Sequence, residues 1–147
     1  MKKQLLFIAT LIVSLFISQN VYSTHHVVNT LGNTFDQDTL SINIGDTVTW
    51  NNTGGFHNVN GSILTFPLNP QGFENPGGVS SGWTYTHIFT LAGQYNYQCD
   101  PHVMMGMIGV IQVGEAVNLD QIKGSIADTK SKFILNAERL ENYLSRL

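Results

Sequence analysis

Apolar and polar residues alternate with a period of two in several short stretches of the chain, which is the pattern of half-buried β-strands. These stretches are 40–44, 47–50, 83–91, 95–97 and 107–113, and the last of them is apolar at both parities. Clusters of Gly, Pro and Asn separate the stretches, and Pro and Gly interrupt 61–82 so often that we expect a long loop there. Short strands separated by frequent turns predict an all-β fold, an antiparallel β-sandwich.

The C-terminal residues follow a different period. Apolar side chains from Ile122 to Leu147 recur at spacings of three, four and seven, which places them on one stripe of a helix. Because Gly124 weakens the first turn, we expect this amphipathic helix to begin near Ser125. The helix could fold back on the sandwich, pair with a second copy or dock a partner, and its pattern leaves all three open.

Charge divides the chain near 114–118. The stretch 24–117 contains six acidic residues and no Lys or Arg, whereas the tail from Asn118 contains five basic and four acidic residues. We therefore expect a folded domain over 24–114 and a helical tail over 115–147. Only 12% of residues are charged and the net charge is −3, so the chain lacks the basic surface that nucleic-acid binding requires.

The N-terminal residues are typical of an export signal. Lys2 and Lys3 precede an apolar run, 5–17, that is shorter than the roughly 20 residues of a membrane-spanning helix. A small residue, Ser23, follows at the position where cleavage is expected. The sequence therefore predicts a signal peptide over 1–23 and a mature protein in the periplasm or outside the cell, with no integral membrane segment after cleavage.

The residues that carry chemistry precede the last predicted strand. Cys99, His102 and Met107 form a C-x2-H-x4-M pattern, and His57 lies far upstream. One thiolate, two imidazoles and a thioether are the donors of a blue-copper electron-transfer site, in which the axial Met binds weakly. We therefore expect one type 1 copper ion that alternates between Cu(I) and Cu(II). Because Cys99 is the only cysteine, a disulfide framework and zinc or iron–sulfur sites with several thiolates are excluded.

The chain resembles the cupredoxins of the plastocyanin and pseudoazurin type over about 24–114. The resemblance rests on four segments: 45–52 (GDTVTWNN), 57–59 (HNV), 93–102 (GQYNYQCDPH) and 106–113 (GMIGVIQV). It implies a Greek-key β-sandwich and a one-electron carrier. The metal ligands that it implies are His57, Cys99, His102 and Met107. It also implies that the backbone N–H of Asn58 reaches the cysteine sulfur, where such a bond tunes the reduction potential.

Neighbouring methionines allow other interpretations. Met104 is the alternative axial ligand, but the spacing in the family favours Met107. Met104 and Met105, together with Phe56, would form an apolar rim around the exposed edge of His102, where an electron leaves and a partner docks. Ordinary loop packing is the alternative for these three side chains.

The remaining histidines have simpler interpretations. His87 falls in a period-two run and is interpreted as a strand residue. If cleavage follows Ser23, His26 becomes the third residue from a free amine, an arrangement that binds Cu(II) in a square plane. A first strand or a frayed terminus is the alternative for His25 and His26.

These residues favour an electron carrier over an enzyme. The carrier would move single electrons between redox proteins such as a cytochrome or a copper oxidase or reductase, and its acidic domain favours a basic partner. A copper-binding or copper-storage protein is the second hypothesis. A structural module of a larger redox complex, attached through the tail, is the third. A multicopper oxidase would need several His-x-His pairs, and a binuclear copper site would need a second cysteine; the sequence contains neither.

Overall fold

The computed structural model describes residues 22–147, so the predicted signal peptide lies almost entirely outside the described residues. The strands are β1 (His25–Leu31), β2 (Thr34–Phe35), β3 (Thr39–Ile42), β4 (Thr47–Asn52), β5 (Trp83–Ile88), β6 (Gly93–Gln98) and β7 (Ile108–Val113). A 3₁₀ helix, Asp100–Met105, lies between β6 and β7. The helices of the tail are α1 (Leu119–Gly124), α2 (Ile126–Lys130) and α3 (Arg139–Leu144).

The strands of this region form two sheets, in the orders β2-β1-β4-β5 and β3-β7-β6. This confirms the predicted all-β sandwich. Two strand pairs are parallel, β1 with β4 and β3 with β7, whereas the other pairs within the sheets are antiparallel as predicted. The parallel pairs arise because the chain forms a strand of the opposite sheet before it returns, and a connection of that length allows the returning strand to run parallel.

The core between the sheets is built from aromatic rings. The Trp50 ring lies 5.4 Å from the rings of both Phe73 and Tyr97, measured between centroids. Trp50 and Tyr97 are fully buried, and burial of a side chain this large contributes about 1.5–3 kcal/mol or more. Cys99 and Met107 belong to the same cluster. Two of the predicted ligands therefore lie inside the packed core.

The tail covers the outer face of the β3-β7-β6 sheet. Ile108 and Val110 of β7 belong to a second apolar cluster there, whereas Ile111 and Val113 belong to the core between the sheets. Both faces of β7 are thus covered, which explains why its sequence is apolar at both parities. The tail residues buried in this cluster are Ile122, Phe133, Leu140, Tyr143 and Leu144. Of the three arrangements that the sequence left open, the structure shows the tail folded back.

The tail consists of three short helices in place of the single helix predicted from Ser125. The first begins at Leu119 and ends at Gly124, and 131–138 separates α2 from α3. Short helices are marginal in water, so contacts with the sheet decide where they begin and end, and apolar spacing alone does not reveal the breaks. No helix within 22–147 has the length and apolar character needed to cross a bilayer.

Candidate metal centre

Three of the four predicted ligands converge. The sulfur of Cys99 lies 3.6 Å from Nδ1 of His57 and 3.4 Å from Nδ1 of His102. All three donor atoms lie within 4.8 Å of one another, and the described residues contain no second such group of His, Cys, Asp or Glu side chains. One thiol and two imidazole nitrogens at this spacing fit a type 1 copper site, whose equatorial ligands are of these types.

The loop after β6 delivers two of these side chains together with the predicted axial ligand. Pro101 occupies the first turn of the 3₁₀ helix, where its fixed φ favours helix entry, and this turn carries His102. The N–H of Cys99 donates to the carbonyl of Met107 at 3.0 Å, and the N–H of Met107 donates to that of His102 at 3.2 Å. Met107 is fully buried, whereas the side chain of the competing Met104 is 53% exposed.

The loop after β4 delivers His57. Its backbone pairs with that of Ser80 through two hydrogen bonds of 3.1 and 3.2 Å, and its carbonyl accepts the indole N–H of Trp83 at 3.0 Å. Gly55 lies against the imidazole with φ of 79°, and a Cβ there would lie 2.7 Å from Nε2. Our sequence reasoning missed Gly55 as a site residue, although the Gly-Gly pair before Phe56 was a visible signal.

Burial favours the neutral forms of Cys99 and His57 when no metal is bound. It raises the pKa of the Cys99 thiol to about 11, and the backbone N–H groups of Asn58 and His102 only partly oppose this rise. Burial, followed by the charge of His102, lowers the pKa of His57 and so leaves its imidazole available as a ligand. Metal binding must therefore displace the thiol proton. The resemblance implied the influence of the Asn58 N–H on the sulfur; that of the His102 N–H was missed.

Asp100 joins the loop between β6 and β7, residues 99–107, which we call the ligand loop, to the segment after β4. Its carboxylate accepts hydrogen bonds from the side-chain amides of Asn58 at 2.6 Å, Asn60 at 3.1 Å and Gln98 at 2.8 Å. Its N–H donates to Oδ1 of Asn58 at 2.7 Å. Hydrogen bonds to a charged acceptor are stronger than neutral ones, so this cluster holds Cys99 in place from the adjacent position. The sequence offered no signal for it, because isolated Asn and Gln residues are common in turns.

Of the three converging side chains, His102 is the most exposed. His57 is 4% exposed and Cys99 is fully buried, whereas His102 is only partly buried. Phe56, next to His57, is 70% exposed, and Met104 in the 3₁₀ helix is 53% exposed. The predicted rim residues are thus exposed, as an apolar contact surface requires.

The other histidines lie outside this group. His25 begins β1 and its Nε2 lies 2.7 Å from Oγ1 of Thr49, while Nε2 of His26 lies 3.2 Å from the buried carboxylate of Asp46. This supports the first-strand interpretation of the pair. His87 lies in β5, as predicted.

The comparisons with known proteins agree with this geometry. A sequence model of the copper-binding plastocyanin/azurin family matches residues 23–114. Chloroplast plastocyanin from Tetradesmus obliquus is 35% identical over 83 residues, 54% of this chain and 57% of that protein. Pseudoazurin from Paracoccus pantotrophus is 34% identical over 95 residues, 64% of this chain and 63% of that protein. The chain therefore spans about three fifths of the length of these relatives.

A solved structure extends the likeness into the tail. Native pseudoazurin from Hyphomicrobium denitrificans superposes with a TM-score of 0.66 at 26% identity. The match covers 84% of this chain and 98% of that one, which is more of this chain than 23–114 contains.

Proposed function

Because the chain belongs to the plastocyanin/azurin family of copper-binding proteins, we propose that it carries single electrons between redox proteins. The observation that carries the proposal is the convergence of Cys99 Sγ with Nδ1 of His57 and of His102. Copper bound there supplies a one-electron couple between Cu(I) and Cu(II). The protein's part is to hold the donors still and to keep water out.

The proposed ligands are His57, Cys99, His102 and Met107. Burial favours Met107 over Met104 as the axial ligand, because Met107 shares the core with Cys99 and pairs with its backbone. Side chains packed in this way move little, so a change of one charge at the site requires little rearrangement. Small rearrangement favours rapid electron transfer.

His102 is the proposed exit for the electron. Its ring is partly exposed, and we expect the exposed side chains of Phe56, Met104 and Met105 to surround it. An apolar surface of this kind releases water when a partner docks. The stretch 24–117 contains acidic residues without Lys or Arg, which favours transient encounter with a basic redox protein, such as a cytochrome or a copper oxidase or reductase. In this role the protein has no substrate to convert, so it is not an enzyme.

The proposal includes export. Residues 1–23 are the proposed signal peptide, 24–114 the copper domain and 115–147 the tail. Strand β1 begins at His25, two residues after the proposed cleavage point, so cleavage there leaves the whole strand in the mature protein. We propose that the mature protein acts in the periplasm or outside the cell.

The visible spectrum tests the proposed function. Purified protein should develop an intense blue band with Cu(II), because the Cys99 thiolate transfers charge to the metal, and a reductant should bleach the band. Cys99→Ser, which keeps a side chain of similar size, should stay colourless. A wild-type protein that binds Cu(II) without the band would contradict the electron-carrier role and would favour copper storage.

A further inference from the structure

A short segment of the tail, 134–139, which we call the tail strap, is hydrogen-bonded to the ligand loop. The backbone N–H groups of Ile134 and Leu135 both donate to the carbonyl of Met104, at 2.8 and 3.0 Å. Met104 lies in the 3₁₀ helix that carries His102. The strap therefore begins its contact on the element that positions one of the proposed ligands.

Two side chains of the strap continue this contact along the loop. Nδ2 of Asn136 donates to the carbonyl of Met105 at 2.8 Å. Nη1 of Arg139 donates to the carbonyl of Gly106 at 3.1 Å and to that of Asn33, between β1 and β2, at 3.1 Å. Three consecutive carbonyls of the ligand loop thus accept hydrogen bonds from the tail.

Two of these carbonyls, those of Met104 and Met105, accept no hydrogen bond from the N–H groups of the loop. The last carbonyls of a helix have no donors within the helix and rely on water or on other segments. The N–H of Gly106 bonds to Val103 and the N–H of Met107 bonds to His102, whereas the carbonyl of Gly106 also accepts the N–H of Ile108 at 3.0 Å. The strap supplies donors on the stretch that joins His102 to Met107.

The backbone of the ligand loop also lies in close contact with the backbone of the tail strap. Gly106 has φ of 72°, and a Cβ there would lie 3.0 Å from the carbonyl oxygen of Leu135. Asn136 has φ of 56°, a left-handed conformation that a residue other than glycine seldom adopts. Such a conformation persists where surrounding contacts hold it, and here the contact is with the ligand loop.

We propose that the tail strap positions the ligand loop and thereby helps to set the reduction potential of the metal centre. Asn136 and Arg139 are positioning residues, because they touch loop carbonyls and not the donor atoms. The inference concerning the potential rests on the proposed function. The Arg139 guanidinium also adds positive charge beside the loop, which favours the reduced state of a copper ion.

Matched variants test this inference. Asn136→Gly removes the side-chain donor and tolerates the left-handed backbone, and Arg139→Gln removes the charge and weakens the contact. Arg146→Gln is the control, because Arg146 also belongs to the tail but pairs with Asp38 at 2.7 Å, away from the loop. The measurements are the visible and paramagnetic resonance spectra, the reduction potential, and amide hydrogen exchange of the metal-free protein at Gly106 and Met107.

Both strap variants should change the spectra of the copper protein, and Arg146→Gln should not. At a fixed applied potential, Arg139→Gln should lower the ratio of reduced to oxidised protein about fivefold, because the positive charge that favours the reduced state is lost. Exchange at Gly106 and Met107 should rise by a similar factor in both variants. Spectra, potential and exchange equal to those of wild type would overturn the inference.

The exchange measurement separates this inference from the proposed function. If wild-type protein shows no blue band, the electron-carrier role fails, while exchange in the metal-free protein still decides whether the strap holds the loop. If Arg139→Gln does not fold, Asn136→Gly decides alone, since it keeps the charge and the backbone conformation. Unchanged exchange in Asn136→Gly would then overturn the inference.

Discussion

The two faces of β6 differ in chemistry although both are buried. Tyr95 and Tyr97 face the core between the sheets, where they pack with other aromatic rings. Gln94, Asn96 and Gln98 alternate with them and are also buried. The inner face is thus held by apolar area, whereas the outer face presents buried polar side chains, and the segments that cover it bond to the strand backbone through Asn69 and Asn118. The metal centre depends on both faces. Cys99 lies in the core directly after β6, and the tail that covers the outer face contacts the ligand loop.

The largest expected effect comes from breaking the inner core. Trp50→Ala removes a fully buried ring that packs on Phe73 and Tyr97, so the free energy of unfolding should fall by about 3–5 kcal/mol. Leu140→Ala, in α3 of the tail and fully buried in the cluster on β7, should cost about 2–3 kcal/mol because short helices relax around the cavity more easily. Urea denaturation of the metal-free proteins measures both. An equal or larger loss in Leu140→Ala would contradict this contrast between the two faces.

The inner face is the part of the fold that could be predicted from sequence. Alternation at Tyr95 and Tyr97 identified β6 because aromatic residues at every second position match the pleat of a strand. Three of the predicted ligands, His57, Cys99 and His102, come together in the structure. They could be found because thiol and imidazole donors at this spacing are an uncommon combination with a known chemistry. Met107 as axial ligand stays a prediction.

The outer face could not be predicted in the same way. Gln94, Asn96 and Gln98 have the composition of a solvent-facing strand surface, and only the long loop and the tail that cover them make the face buried. The period of the tail identified its apolar residues but not the breaks at Gly124 and 131–138, since packing on β7 decides them. The contact of the strap with the ligand loop likewise depends on tertiary placement.

A substitution of Asp100 tests whether hydrogen bonds beside the ligand loop affect the metal centre. Asp100→Ala leaves the amides of Asn58, Asn60 and Gln98 without their acceptor, which should cost about 1–3 kcal/mol of unfolding free energy. Loss of the negative charge beside Cys99 should also raise the reduction potential. Urea denaturation and voltammetry measure the two effects.

Asp36→Ala is the matched control for this prediction. Asp36 also accepts hydrogen bonds from an asparagine, Asn29, at 2.7 Å, but on the exposed β1–β2 hairpin. Its loss should leave the potential unchanged. If both variants shift the potential equally, general charge and not the position of Asp100 is responsible.

The outer edge of β6, where no strand of the sheet follows, gives a smaller test. The side-chain amide of Asn118 pairs with both the N–H and the carbonyl of Gln94, at 2.6 and 2.9 Å, and Asn69 does the same for Asn96 at 2.8 and 2.8 Å. These side chains take the place of a neighbouring strand. Asn118→Ala should lower the free energy of unfolding by about 1–2 kcal/mol and leave the blue spectrum unchanged. A changed spectrum would show that the edge influences the metal centre directly.

The smallest expected effect is a pH dependence of the free energy of unfolding, which arises from His87 in β5. His87 stacks on Phe73 with 5.2 Å between ring centroids, and burial lowers its pKa from the ordinary value of 6.5. The unfolded chain therefore binds a proton at a higher pH than the folded protein, so stability is full above about pH 6.5 and falls as the pH drops below it. His87→Phe keeps a ring in this place and removes the titration. In urea denaturation of metal-free protein, the variant should lose less stability than wild type between pH 7 and pH 5. An equal loss would assign the pH dependence to other groups. His57 would be the first of these to examine, because burial also lowers its pKa.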